Sequence, residues 1–429
     1  MLKVRLLEFV EDVRASYWFV PALLALLGFG AGLALVYLDA LVGTAWLGRF
    51  EWLYGSRPEG ARALLSTVAG STITVAGVVF SITLAAVTYA SGQYGPRLLS
   101  NFMRDRGNQT TLGVFIGTFL YCLVVLRTIR SAEEASADTA GALREAFVPH
   151  IAMFGALALA VASIGVLIYF VHHVTDAIHI NNVIARIGRG LLDDIAERSG
   201  WQDEDRSDER ESGGESGGGD GEPAPAGVPV PAAKTGYVEA LDEEALLTLA
   251  TEHRATVTVL AVPGDFIHRG RPALLVRAED NSGLEGAAEL FSVGRKRTAQ
   301  QDLRFPIDEL VEIAARALSP GVNDPFTATA CIDWLGAALT DLASMPEKPA
   351  ILRDRDGQAR VALPRLSYDD FLRSAVGHLA PYAAADPIAG PHLVAMLDTV
   401  RAAIDDPRQR AMLDAERHRL ARAMQRETT

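Results

Sequence analysis

Apolar runs long enough to cross a bilayer are what most restricts this chain. Residues 18–38, 64–89, 110–126 and 147–171 each approach the ~20 residues that a hydrocarbon core requires. Lipid offers backbone N–H and C=O groups no partner, so each run is expected to be a helix that bonds internally. Trp18, Tyr17 and Tyr37 flank the first run, as aromatic residues do at membrane interfaces. Arg127 and Arg130 follow the third, placed to snorkel outward.

The second run carries a pattern of its own. Thr67, Thr74, Ser81 and Thr88 recur every seven residues, and Gly70, Gly77, Leu84 and Ser91 fall between them. That spacing puts all eight on one face of a helix. The opposite face holds Val68, Val75, Val79 and Ala86, with Thr72 and Thr83 among them, and is expected to face lipid. A hydroxyl stripe in hydrocarbon calls for another helix or for water in a pore.

A chain of 429 residues that is 49% apolar yet 22% charged implies a membrane part joined to a water-soluble part. Its net charge of −13 excludes the basic face of a nucleic-acid binder. Cys122 and Cys331 lie in such different settings that no disulfide is expected between them. Lys3 and Arg5 precede a run too long for a signal peptide, which reads as an uncleaved span.

Basic residues gather before span one (Lys3, Arg5, Arg14), between spans two and three (Arg97, Arg104, Arg106) and after span four (Arg186, Arg189, Arg198). The loop between spans three and four is acidic, with Glu133, Glu134, Asp138 and Glu145. The positive-inside rule then places both termini in the cytoplasm. Residues 1–16 read as an interfacial helix, 17–197 as a four-span membrane domain, 198–236 as an acidic Gly/Ser/Pro-rich linker and 237–429 as a cytoplasmic α+β domain.

In that last domain, Asp242 is expected to cap a helix, and residues 255–262 and 272–278 to form strands of a small barrel-like hairpin. Residues 287–293 suit a third strand. Ser319-Pro320-Gly321 stops one helix, and Asp324-Pro325 opens the next as an N-cap with proline in first position. Ser367 and Asp370 form a capping box for a helix to about Tyr382, and Asp406-Pro407 opens the last helix.

Three constellations invite chemistry. His172, Asp176 and His179, with His173 beside them, share a helical spacing able to hold a metal or to sense pH. Arg295, Lys296, Arg297 and Arg304 offer a site for an anion or a lipid headgroup, or else a turn with local ion pairs. The turn from Ser319 to Pro325 reads first as a tight helix-to-helix junction. No phosphate loop, dinucleotide fingerprint, nucleophile elbow, HExxH or paired-cysteine motif occurs, so no cofactor and no enzymatic activity are expected. No ionisable residue sits at the centre of a span, which weighs against proton-coupled transport.

The segments STITVAGVVFSITLAAVTYASGQYGPRLL and QTTLGVFIGTFLYCLVVL, the His172-His173 pair, PGDFIHRG and RTAQQDLRFPIDELVEIAARALSPGVNDPFTA resemble the bacterial predicted membrane proteins of domain-of-unknown-function family 2254. The matching positions include Phe80, Ser81, Gln93, Pro96 and Arg97, then Arg316, Ser319, Pro320, Asn323, Asp324 and Pro325. The resemblance implies a bacterial inner-membrane protein and assigns no chemistry to these residues.

The function expected from these features is a homo-oligomeric channel or passive conduit for ions or small solutes, lined by span two and gated by the cytoplasmic domain. Two alternatives stand beside it. One is a membrane-anchored regulatory or scaffold protein that binds a cytoplasmic partner or ligand. The other is a metal-dependent membrane enzyme using the histidines after span four.

Overall fold

Among the described residues, four helices are long and apolar enough to cross a membrane: α1 (Phe19–Val42), α2 (Pro58–Tyr94), α3 (Arg106–Thr128) and α4 (His150–Ile178). The computed structural model describes residues 17–42, 58–94, 105–130, 147–211, 227–278, 284–345 and 351–427. The chain divides into two units, Met1–His179 and Ile180–Thr429, so the boundary precedes the one expected at 197. The interfacial helix expected over 1–16 lies outside the described residues.

In the first unit α3 is the central helix and packs against α1, α2 and α4. Small residues permit this. A Cβ on Gly117 would fall 2.7 Å from the Leu24 carbonyl oxygen, and one on Gly28 would run into the Gly117 carbonyl. Backbones this close gain dispersion contacts, which matter in lipid because no hydrophobic force drives helices together there.

The α2 helix turns an unexpected face to the bundle. Ala61, Leu65 and Ala69 pack with Tyr121, Cys122, Val125 and Ala152, while Ala76 and Val79 pack with Phe115, Phe170 and Val174. Val68 and Val75 lie against these clusters, and Thr72 and Thr83 are buried among them. The side expected to face lipid is therefore the inner side. Its alanines bring α3 and α4 close, and its two threonines donate to the Val68 and Val79 carbonyls of their own helix, at 2.8 and 2.9 Å.

Polar ties cross the bundle at its ends. The N-cap of α4 is Pro149, which has no side-chain oxygen to offer. Asp39 of α1, 6% exposed, supplies the cap instead. Its two carboxylate oxygens accept from Ile151 N at 2.9 Å and Ala152 N at 2.8 Å. Tyr121 donates to the Ala152 carbonyl at 2.7 Å, and Arg62 donates to the Ile129 carbonyl at 2.9 Å, beyond the end of α3.

The second unit begins with α5 (Ile180–Glu211), which runs into the stretch read as linker. It continues with β1 (Val228–Pro231), β2 (Gly236–Leu241), α6 (Glu243–Glu252), β3 (Thr256–Val259), β4 (Phe266–Ile267), β5 (Pro272–Arg277) and β6 (Phe291–Gly294). Then come α7 (Arg304–Ala317), α8 (Pro325–Ser344), β7 (Ile351–Arg353), β8 (Ala359–Ala362), α9 (Tyr368–Leu372), α10 (Ala380–Ala384), α11 (Ala389–Ala403) and α12 (Pro407–Glu427). The strands form a five-stranded sheet in the order β1-β5-β3-β8-β7 and a three-stranded sheet in the order β4-β2-β6.

The caps expected from sequence form. Asp242 accepts from Ala245 N, Asp324 accepts from Thr327 N with Pro325 beside it, and Ser367 and Asp370 complete a capping box. Strands β3 and β5 pair antiparallel as the hairpin reading requires, with Thr256 opposite Arg277. The hairpin is not simple, because β4 leaves it to pair with β2 in the other sheet. The strand expected over 287–293 is mostly a 3-10 turn, Leu284–Leu290, with only its end in β6. The helix expected to reach Tyr382 is broken by a π turn at Arg373–Gly377. Strand β1 occupies part of the stretch read as linker.

Replacing Asp39 by alanine leaves the first N–H groups of α4 without their acceptor. The expected loss is at least the ~1–2 kcal/mol of a missing helix cap. Thermal unfolding in mild detergent measures it, and Asp39→Asn, which keeps one acceptor oxygen, should lose less.

Candidate functional site

The face of α2 that carries the hydroxyls is the outer face of the described bundle. Thr67, Gly70, Thr74, Gly77, Ser81, Leu84 and Thr88 are all exposed, as is the neighbouring Phe80. Among the described residues, nothing beyond the helix's own backbone lies within 4 Å of the space a Cβ would take at Gly70 or Gly77. Ser91 and Gln93 lie in the last turns of α2 with their side chains outside the described residues, and Pro96 and Arg97 lie outside them altogether. Thr67, Thr74, Ser81 and Thr88 donate to the carbonyls of Ala63, Gly70, Gly77 and Leu84, each at 2.8 Å. A hydroxyl has one hydrogen and two lone pairs. The hydrogen is spent within the helix, which leaves a row of oxygen acceptors directed away from the bundle.

The histidines do not form the expected cluster. His173 Nε2 lies 2.8 and 3.0 Å from the two oxygens of Asp105, whose side chain is 8% exposed. Asp105 is also the N-cap of α3 and accepts from Gly107 N and Asn108 N. One carboxylate thus caps α3 and holds the far end of α4, while Tyr169 stacks on the His173 ring at 5.2 Å. His172 points elsewhere and meets Asp176 at 3.5 Å. The helix ends at Ile178, and His179 is already extended (φ −64, ψ 122), so the assumed seven-residue register stops short of it. Among the described residues no group of three or more His, Cys, Asp or Glu is placed to hold a metal.

The basic cluster also divides. Arg297 donates through Nε and Nη2 to Asp302 at 2.9 and 2.6 Å, and through Nη1 to Asp308. Arg304 donates to Asp302 at 3.3 Å and to the Pro263 carbonyl at 3.0 Å, with Asp265 at 3.4 Å. Burial works against the Arg297 charge, but Asp302 and Asp308 outweigh it and hold the guanidinium above its ordinary pKa. Asp302 is 1% exposed and belongs to this network. Gly264 (φ +94) approaches it so closely that a Cβ would strike its carboxylate. These two arginines are neutralised within the fold, which corrects the expectation of a four-residue anion site. Arg295 and Lys296 remain at the surface.

The turn between α7 and α8 is a built junction. The backbone N–H groups of Val322 and Asn323 both donate to the Ser319 carbonyl, and Asp324 N donates to the Ala317 carbonyl at 2.8 Å. Ser319 Oγ donates to the Arg316 carbonyl, Arg316 pairs with Glu312, and Thr327 Oγ1 donates to Asp324 at 2.6 Å. Asn323 takes a left-handed conformation (φ +52), which asparagine tolerates better than most residues. Pro320 leaves the turn exposed, and beside it a cavity of about 460 Å³ is lined by Ile180, Asn181 and Ile184 of α5 and by Asp324, Phe326, Thr327, Ala330 and Trp334. Cys331, close by, is fully buried, and burial followed by the Asp324 charge pushes its thiol well up.

Four apolar helices followed by a helical unit with two small sheets define a multi-span helical membrane protein with an appended mixed domain. The chain belongs to the family described as predicted membrane protein (DUF2254), which matches residues 14–399. It is similar to proteins of Mycobacterium bovis and Mycobacterium tuberculosis described as uncharacterized. Each is 30% identical over 428 residues, an overlap of 97% of this chain and 78% of theirs. No solved structure matches it.

Sequence reasoning missed Asp39 and Asp105. Each is an acid next to or within the end of an apolar run, the signal of a helix cap at a membrane face. Removing Asp302 as Asp302→Ala strips Arg297 and Arg304 of their shared acceptor. The expected cost is ~3 kcal/mol, the low end for a broken buried ion pair because both arginines keep some solvent. Chemical denaturation of the full chain measures it. Neither cysteine should react with iodoacetamide at pH 8 before unfolding, since both are buried and free.

Proposed function

We propose that this protein forms a homo-oligomeric conduit for ions or small solutes in the bacterial inner membrane, with α2 of each copy bordering a shared path. The observation that carries the reading is the outward placement of Thr67, Gly70, Thr74, Gly77, Ser81 and Thr88. No described residue of the subunit covers this face, and two of its positions are glycines with open space around them. Small residues let helices of neighbouring copies approach, and outward oxygens replace part of the hydration shell of a passing solute. A single four-helix subunit encloses no wide passage, so the path needs several copies.

The distribution of basic residues supports a cytoplasmic second unit. Because Ile180 follows His179 directly, a movement of that unit reaches α4 through the chain itself, and this is the route proposed for gating. The reading needs no enzymatic step. A membrane-anchored binding protein is the second reading, favoured by the bonds that satisfy the α2 hydroxyls without a partner and by the cavity between α5 and α8.

Three measurements separate the two. Light scattering in mild detergent should give an oligomer, whereas a monomer returns the binding-protein reading. Thr74→Cys and Ser81→Cys should react with a charged, water-soluble thiol reagent, against a background of buried native cysteines. Ser81→Leu should lower solute flux into liposomes by about tenfold, the effect of ~1.4 kcal/mol on a barrier. Silent cysteines and unchanged flux together would end the conduit proposal.

A further inference from the structure

A groove of about 550 Å³ opens in the first unit, between Phe29 and Leu33 of α1 and Val124, Arg127 and Thr128 of α3, with Arg130 and Phe147 at its end. That volume lies within the ~300–1,000 Å³ of small-molecule sites. Its walls divide by chemistry. Phe29 and Leu33 are 44% and 50% exposed and form an apolar side. Arg127, in the last turn of α3, and Arg130, just past it, form a cationic end.

The backbone at both arginines is fixed, and among the described residues nothing calls on their charges. Arg130 and Phe147 exchange backbone hydrogen bonds at 3.1 and 3.3 Å, which fixes the chain at the mouth of the groove. The Ile129 carbonyl takes its hydrogen bond from Arg62, so Arg127 is not needed there. Among the described residues no carboxylate or carbonyl receives the guanidinium of Arg127 or Arg130. Two guanidiniums with no acceptor among the described residues, beside an apolar wall at the end of a membrane helix, match a molecule with a phosphate at one end and a hydrocarbon chain at the other.

We propose that this groove binds an anionic phospholipid. The phosphodiester sits between Arg127 and Arg130, where planar guanidiniums offer paired donors to its oxygens. An acyl chain runs along Phe29, Leu33 and Val124. The helix directions place this site at the face of the membrane unit opposite the one from which residue 180 departs. The proposal is independent of how α2 is used.

The test is native mass spectrometry of the full chain in mild detergent, titrated separately with phosphatidylglycerol and phosphatidylcholine. The wild type should retain phosphatidylglycerol about tenfold better. Arg127→Gln with Arg130→Gln should abolish that preference, and Arg106→Gln, at the other end of α3, should leave it intact. Leu33→Trp, which fills the apolar wall, should lower retention of both lipids and serves where the double variant fails to fold. Equal retention of the two lipids by the wild type would overturn the proposal. So would an unchanged preference in the double variant, which would mean that acidic residues of 131–146 hold the arginines. Competition by inorganic phosphate at concentrations comparable to the lipid would also overturn it, by identifying the ligand as a soluble anion.

Discussion

The first unit depends on the contact between α1 and α3, where two backbones meet at Gly28 and Gly117 with no side chain between them. In lipid the helices gain nothing from hiding apolar surface, so packing has to come from closeness and from polar bonds. Closeness at these glycines places Leu24 over Gly113 and brings α3 under α1, which leaves α3 the most buried of the four apolar helices. The polar residues of α3 follow from that position. Asn108, Gln109, Thr111 and Thr118 are all buried, and Thr118 meets Ser163 of α4 at 3.3 Å. A helix carrying these groups is tolerable at the centre of the bundle and costly at its rim.

What was legible in the sequence was local. The apolar runs, the caps at Asp242, Asp324 and Ser367 and the stop at Ser319-Pro320 all depend on residues close along the chain. The direction of α2 was not legible. A period of seven places hydroxyls and valines on opposite sides of a helix but does not say which side meets α3. The outcome follows from two facts: Ala61, Ala69 and Ala76 are small enough for close packing, and each exposed hydroxyl quiets its own hydrogen at the carbonyl four residues back. The adjacent His172 and His173 read as one cluster but diverge around the helix, and the acid that holds His173 lies in a different helix. Parallel pairing of β3 with β8 joins segments far apart in sequence, which no local pattern announces.

The two acids missed in the sequence join three of the four apolar helices and leave α2 outside their bonds. At one end of the bundle Asp39 of α1 caps α4. At the other, Asp105 caps α3 and binds His173 of α4. These carboxylates join α1, α3 and α4 by bonds that are strong where water is scarce. By contrast, α2 is tied to the end of α3 among the described residues by the Arg62 bond to the Ile129 carbonyl, at its first turns. Along its described length α2 packs through alanine, leucine and valine, and its far side is exposed among the described residues. A helix secured on one face by small apolar contacts, with oxygens and glycines on the other, can meet an identical helix without breaking any hydrogen bond of its own subunit. Assembly through α2 would therefore add contacts to the subunit and remove none.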